Sequence, residues 1–280
     1  MEFYGLVGEK LSHSLSPEIH SELLKAINKD GAYKLFEIEK DRLEDFTEAL
    51  KLLKIKGANV TIPYKKDIMK YIDSISEEAE KIGAINTISL ENGKLYGHNT
   101  DYYGFGYMLK VNSISIKGKS AVILGNGGAC RAVVHYLLDN NISDIKIVSR
   151  KPNKEEFNLQ NVDVITYEEL KNISGDILIN STPVGMYPNI NVSPVTEDII
   201  RNFDALVDLI YNPMETKFVN IGNSLSKKTT SGLYMLIGQA AKAQEIWNDV
   251  LIDEEIIKEI YEKIKVTLHL GIGEYKWIRI

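Results

Sequence analysis

The sequence is poor in the residues that build covalent and metal frameworks. It has one cysteine, Cys130, and five histidines in 280 residues. A single thiol closes no disulfide within the chain, and a cysteine-rich zinc site is excluded. The histidines fall at no HExxH-type spacing, which removes a common zinc-hydrolase signature. No apolar run reaches the roughly 18 residues that span a bilayer. The opening MEFYGLVGEK carries Glu2 where a secretory leader would be basic, so the chain is expected to be cytoplasmic. A basic patch is missing too: the net charge is −6, with lysines and arginines scattered, and no nucleic-acid partner is expected.

What is present is ordinary for a globular protein. Hydrophobic residues make up 44% and charged residues 26%, enough apolar matter for a core. The length suits two domains. Short apolar runs at 4–8, 34–39, 57–62, 84–90, 121–125, 145–149, 176–180 and 205–209 read as strands. Helix-period segments lie among and after them, at 42–53, 129–138, 233–247 and 254–265. Several later strands carry few polar residues, as strands buried on both faces do. The alternation predicts an α/β protein with mainly parallel sheets and helices outside. The polar, Gly-rich and aromatic stretch GHNTDYYGFGY marks the boundary. Residues 1–101 are expected to form a first domain and 102–232 a second, with helices 233–265 folding back on the first. The tail LHLGIGEYKWIRI reads as a strand or a loose end.

The second half holds a phosphate-binding pattern. The apolar run 121–124 ends at Gly125-Asn126-Gly127-Gly128, and a helix opening near Ala129 follows at once. Strand, glycine-rich turn and helix are the context of the dinucleotide fingerprint. A Cβ in the turn would hold the backbone away from a pyrophosphate, and the helix N-terminus offers N–H groups to the phosphates. Cys130 takes the place of the third glycine and reads as a packing residue. The next strand ends in Ser149-Arg150-Lys151, with no acid for a ribose 2′-hydroxyl. A hydroxyl and two cations suit a 2′-phosphate, so NADP is expected over NAD.

The first half holds a lysine in an unusual place. GANVTIPYKKDIMKYID reads as strand, turn and helix. On that helix Lys65 shares the apolar stripe with Ile68, Met69 and Ile72. A lysine there must snorkel, pair or serve as a proton donor. Asp101 reads as an N-cap, or as a carboxylate facing Lys65 across the cleft between domains. Ser14 and Ser16 stand before a helix expected to start at Pro17; Ser16 caps it, or both bind a carboxylate. Asn86 is polar at an otherwise apolar strand position and needs a partner. On the helix after Ser231, Gly232, Met235 and Gln239 share a strip that suits a ligand-facing edge.

Together, SHSLSP, NVTIPYK, IGAINT, GHNTDYYGF, LGNGGA, NSTPVGMYP, DLIYNP and GLYMLIGQAAKAQEIW resemble, in order, the successive motifs of the shikimate dehydrogenases. The resemblance covers nearly the whole chain up to Trp247. It implies an N-terminal α/β substrate domain and a C-terminal Rossmann-like, doubly wound parallel sheet that binds NADP. It implies reversible reduction of 3-dehydroshikimate to shikimate, in the route to aromatic amino acids, by a monomer or homodimer. Carried over by motif, Lys65 and Asp101 are the catalytic pair. Ser14, Ser16, Thr61, Asn86, Tyr211 and Gln239 bind the substrate. Gly125, Asn126, Gly127, Gly128 and Ala129 cradle the pyrophosphate, and Ser149, Arg150 and Lys151 meet the 2′-phosphate. Leu209 and Gly232 fall near the nicotinamide, and Glu77 near the cofactor. Ser149 and Lys151 replace the family's Asn and Thr, but two positive charges remain. Two rivals stand beside this reading. A quinate/shikimate dehydrogenase using NAD would place an acid at the strand end after Ile147. A non-catalytic regulator could dispense with the Lys65–Asp101 pair.

Overall fold

The computed structural model describes residues 1–12, 14–153 and 157–269; the sequence reading of the tail falls almost wholly outside them. The chain divides into two compact units. One is Met1–Gly104 joined by the chain from Ile237 onward; the other is Phe105–Leu236. The sequence reading put these divisions at 101 and 233. They fall instead inside two helices, Thr100–Val111 and Leu233–Asn248, because residues within each helix serve different cores. Phe105, Met108 and Leu109 of the former and Met235 of the latter bury in the second unit.

In the first unit, β1 (Glu2–Gly8), α1 (Ser16–Ala26), β2 (Gly31–Glu37), α2 (Leu43–Leu52) and β3 (Gly57–Val60) alternate. Then follow β4 (Ser74–Ile75), α3 (Glu77–Ile82), β5 (Thr87–Glu91), β6 (Lys94–His98) and α4 (Thr100–Val111). The strands form one sheet in the order β2-β1-β3-β5-β6-β4. This sheet is mixed, with three of its five pairings parallel and two antiparallel. β1 pairs in parallel with β2 and β3, but β5 runs antiparallel to β3 and to β6. The antiparallel pairing of β5 with β6 follows from the two-residue turn Asn92-Gly93. Both residues take left-handed backbone angles, φ 52 and 79, the geometry that suits the twist of a tight hairpin. Val7, Leu50, Ala58, Ile68, Ile85 and Ile88 anchor the core on one face. Each fully buried aliphatic side chain there contributes about 1.5–3 kcal/mol of transfer free energy.

The second unit is built from β7 (Ser120–Leu124), α5 (Gly128–Asp139), β8 (Asp144–Val148), β9 (Val162–Ile165), α6 (Tyr167–Leu170), β10 (Gly175–Asn180), α7 (Glu197–Arg201), β11 (Phe203–Asp208), α8 (Lys217–Ser224) and β12 (Lys228–Thr230). Its sheet runs β12-β11-β10-β7-β8-β9, with every pairing parallel. Read in chain order that is 3-2-1-4-5-6, the doubly wound arrangement whose ligands sit beyond the carboxyl ends of the strands where the order reverses. Two apolar clusters cover the sheet, one with Ile123, Ile147 and Ile179, the other with Val122, Leu178 and Leu206. Alternate residues of one strand thus serve opposite faces. The chain returns to the first unit through α9 (Leu233–Asn248) and ends its described part in α10 (Glu254–His269).

Candidate active site

Lys65 does not ride on a helix as the sequence pattern suggested. An α-helix would give its carbonyl to the N–H of Met69. Instead it accepts from Ile85 N at 2.9 Å, and Met69 N turns to Lys66 O at 3.2 Å. The regular element is a short 3-10 turn, Asp67–Tyr71. Lys65 therefore sits on the turns before it, laced to the segment that carries Asn86. Its ammonium donates to Asp101 Oδ2 at 2.5 Å, with 18% of the lysine side chain and 7% of the aspartate side chain exposed. Both residues lie within the first unit, so the pairing is made inside one domain and does not reach across a boundary. Asp101 is no N-cap; it lies inside α4, in its first turn.

Asn86 holds the pair in place. It precedes β5 rather than lying in it, and its amide is fully engaged. Nδ2 donates to Asp101 Oδ1 at 2.9 Å and to Gln239 Oε1 at 3.0 Å. Oδ1 accepts from the Thr100 N–H at 2.6 Å and from the hydroxyls of Thr87 and Thr100, each at 3.1 Å. Four residues predicted from sequence, Lys65, Asp101, Asn86 and Gln239, thus form one hydrogen-bonded group. Gln239 comes from α9, far along the chain. Its Nε2 donors are not used in that bond.

A second polar line was not read from the sequence. Asn59 on β3 accepts from the Tyr33 hydroxyl at 2.7 Å and donates to Thr87 Oγ1 at 3.0 Å and Asn86 O at 3.3 Å. The signal was available: Asn59 is a buried amide in the apolar run Gly57–Val60, the same anomaly that singled out Asn86. Burial raises the Tyr33 hydroxyl pKa well above the ordinary value, with the Ser16 side chain pulling the other way. Ser16 is not the cap of α1; Leu15 is. Ser14 Oγ accepts from Ser16 N at 3.2 Å and lies 3.1 Å from Ser16 Oγ. Two hydroxyls are thus held side by side at the positive end of an 11-residue helix. Thr61 directly follows β3, its N–H bonded to Val7 O at 3.0 Å.

Other assignments belong to the second unit. Gly125 has φ 93, a left-handed angle, and a Cβ there would lie 2.7 Å from Thr182 Cγ2. Gly127 and Gly128 differ: a Cβ on either would meet nothing within 4 Å. The fold itself has no need of glycine at these two positions, whereas a closely approaching ligand would. Gly127 is the N-cap of α5, and no side chain caps that helix end. A helix end without a side-chain cap, opening on two glycines with space around them, fits a pyrophosphate. Cys130 is fully buried in the apolar core, as expected of a packing residue. Ser149 is buried, and its hydroxyl accepts from Lys151 N at 3.2 Å. It shapes the turn on which exposed Arg150 and Lys151 stand. Those two cations, with no acid at the end of β8, suit a 2′-phosphate.

Leu209 and Tyr211 follow β11, and burial raises the Tyr211 hydroxyl. A Cβ on Gly232 would lie 2.1 Å from Leu209 O, so that glycine allows two backbone segments to touch. Met235 is 7% exposed and packed in the core. It shares that apolar cluster with Phe105 and Met108. Glu77, 85% exposed, pairs with Lys81 at 3.4 Å and joins none of the hydrogen bonds of the Lys65 group. Among the described residues no cluster could hold a metal ion, and no helix is long and apolar enough to cross a membrane.

Residues 6–88 match the family model described as the shikimate dehydrogenase substrate binding domain. The chain is 56% identical over 266 residues to a Clostridium beijerinckii protein named shikimate dehydrogenase (NADP(+)), covering 93% of this chain and 97% of the relative. Its backbone superposes with a TM-score of 0.89 on shikimate dehydrogenase 1 of Peptoclostridium difficile, at 53% identity, over 96% of this chain and 99% of that one. A chorismate mutase/shikimate 5-dehydrogenase fusion protein of Clostridium acetobutylicum matches with a TM-score of 0.92 and 46% identity, over 96% and 99%. Identity of this order along nearly the full length, joined to the same two-unit α/β architecture, leaves one assignment: the chain belongs to the shikimate dehydrogenase family.

Proposed function

We propose that the chain is an NADP-dependent shikimate dehydrogenase that reversibly reduces the C3 ketone of 3-dehydroshikimate. The observation that carries the chemistry is the Lys65–Asp101 pair, clamped by Asn86 and Gln239. When bound, NADPH supplies the hydride to the ketone carbon. Lys65 gives a proton to the oxygen as it becomes a hydroxyl, and takes it back in the reverse direction. Asp101 keeps the ammonium aimed, and Asn86 keeps Asp101 aimed. The hydroxyls of Ser14 and Ser16, backed by the α1 N-terminus, take the substrate carboxylate; the assignment of Tyr211 to the substrate rests on resemblance alone. Thr61 and Gln239 hold the ring hydroxyls, and Asn86 joins them by exchanging its bond to Gln239. Fixing the ring in this way can contribute several kcal/mol to lowering the barrier.

In the second unit, Gly125–Ala129 take the pyrophosphate, and Arg150 and Lys151 the 2′-phosphate, on a turn held by Ser149. Leu209 and Gly232 border the nicotinamide end. The assignment of Glu77 to the cofactor rests on resemblance alone. The protein works in the cytoplasm as a monomer or homodimer. The test is a steady-state assay of the pure protein with shikimate or quinate, each with NADP or NAD, following absorbance of the reduced cofactor. Fast turnover with shikimate and NADP alone is expected. Equal turnover with quinate and NAD would move the chain to the quinate/shikimate type, and none at all would make it a ligand-binding regulator.

A further inference from the structure

One buried acid takes no part in the chemistry above. Asp208 ends β11 and is fully buried. Its carboxylate accepts from three donors. Oδ1 takes Asn180 Nδ2 at 3.0 Å and the Ile210 N–H at 3.0 Å, and Oδ2 takes the Thr216 hydroxyl at 2.6 Å. Burial raises the carboxyl to about 6 against the pull of these three bonds, which favour the anion. An acceptor with four lone-pair sites facing three donors is matched only in that form.

The three donors lie on three separate segments. Ile210 sits between Leu209 and Tyr211, the residues assigned to the nicotinamide and the substrate. Thr216 caps α8, accepting from Val219 N at 3.3 Å. Asn180 ends β10, and its Oδ1 gathers the next loop, accepting from Thr182 N at 3.0 Å and Thr182 Oγ1 at 2.7 Å. That loop reaches the phosphate turn: Ser181 Oγ donates to Gly125 O at 3.1 Å. Leu209 N in turn bonds to Asn180 O at 3.0 Å. One carboxylate therefore ties the segment after β11 to the loop after β10, at the carboxyl ends of neighbouring central strands, where this fold class binds ligands.

We infer that Asp208 is a positioning residue, fixing the segment that carries Leu209 and Tyr211 and so aiming the nicotinamide end of the cofactor site. It touches neither substrate nor cofactor. The inference rests on the roles proposed above for Leu209 and Tyr211. The adenosine end is held elsewhere, on the turn after β7 and by Arg150, so rate and affinity should separate when Asp208 is changed.

The test is Asp208→Asn in the full chain. The amide must turn an NH2 toward Thr216, whose lone pair already caps α8, and the charge-assisted bond is lost. Turnover with shikimate should fall about tenfold or more, since small misplacements carry that cost. The dissociation constant of NADP by calorimetry should stay within about threefold, because the adenosine end is held on other segments. An unchanged kcat would overturn the inference. So would a fall in kcat matched by an equal loss of NADP affinity. Thr216→Val, which leaves the carboxylate but removes its shortest bond, provides the same separation if the first variant does not fold. It should lower kcat with NADP binding intact, and an unchanged kcat would again overturn the idea. Wild-type turnover, measured alone, tests the proposed function; the ratio of variant to wild type tests Asp208.

Discussion

The two units arrange their candidate functional groups by opposite means. In the first, the working groups are side chains that hold one another: Lys65, Asp101, Asn86 and Gln239 form a hydrogen-bonded set. In the second, the working surface is largely backbone. Gly127 and Gly128 border open space, and the end of α5 carries no side-chain cap. The difference follows from the tasks. Moving a proton needs an ionisable group held at one angle. Gripping a pyrophosphate needs N–H groups that a ligand can approach closely. The first unit is thus sensitive to what its side chains are, and the second to whether a side chain is there at all.

The sharpest break on the first side is Lys65→Ala. It should lower kcat by roughly 10²–10⁴, the cost of a lost general acid, with KM for shikimate little changed. Steady-state kinetics at saturating NADP decide this, and an unaltered kcat would remove Lys65 from the chemistry. On the second side, Gly127→Ala should weaken NADP by about 10–100-fold through its blocked backbone approach, while the melting temperature of the ligand-free protein stays put. Gly232→Ala is the control. Its Cβ would lie 2.1 Å from Leu209 O, so it should lower the melting temperature before any ligand is added. If the two variants behaved alike, the distinction between fold-required and ligand-required glycines would be wrong. The smallest effect is expected from Arg150→Ala, about tenfold weaker NADPH from one lost charge-assisted contact, with NADH little affected. Parallel titrations with both cofactors test it, and equal weakening would mean that the 2′-phosphate is not read there.

The centre of each sheet was legible in the sequence, and the edges much less so. The eight strands read from apolar runs match the central strands and β2, allowing for a few residues at their ends. Of the four that were missed, β4, β9 and β12 are edge strands, and two of these have only two or three residues. An edge strand is covered on fewer sides, so its residues need not be apolar and no run marks it. The fourth, β6, was signalled by Asn92-Gly93, a hairpin mark that does not depend on hydrophobicity.

The candidate site divides in a similar way. Lys65 drew attention through a helical stripe that does not exist, yet it is the half-buried cation the reading sought. A 3-10 turn places Ile68 close enough to the expected phase to imitate the pattern. Asn86 was legible as a polar residue where an apolar one was due. Asp208 was not, because an acid at a strand end looks like a solvated one until its burial is known. Met235, read as part of a ligand-facing strip, is buried in an apolar cluster. A helix shared between two cores has no single inward face, so periodicity alone cannot say which strip is free.

The first unit is discontinuous in sequence, and this has a consequence for its biosynthesis. The second unit is one unbroken stretch, Phe105–Leu236, whereas α9 brings Gln239 to Asn86 and Trp247 to the sheet, its indole N–H bonded to Ile88 O at 2.9 Å. On the ribosome, chains emerge from the N-terminus. The segments that bear Asn59 and Asn86 are therefore made early but wait through the entire synthesis of the second unit for the helix that completes them. The nascent chain has all of its nucleotide-binding residues before it has the last residue of its proposed substrate site.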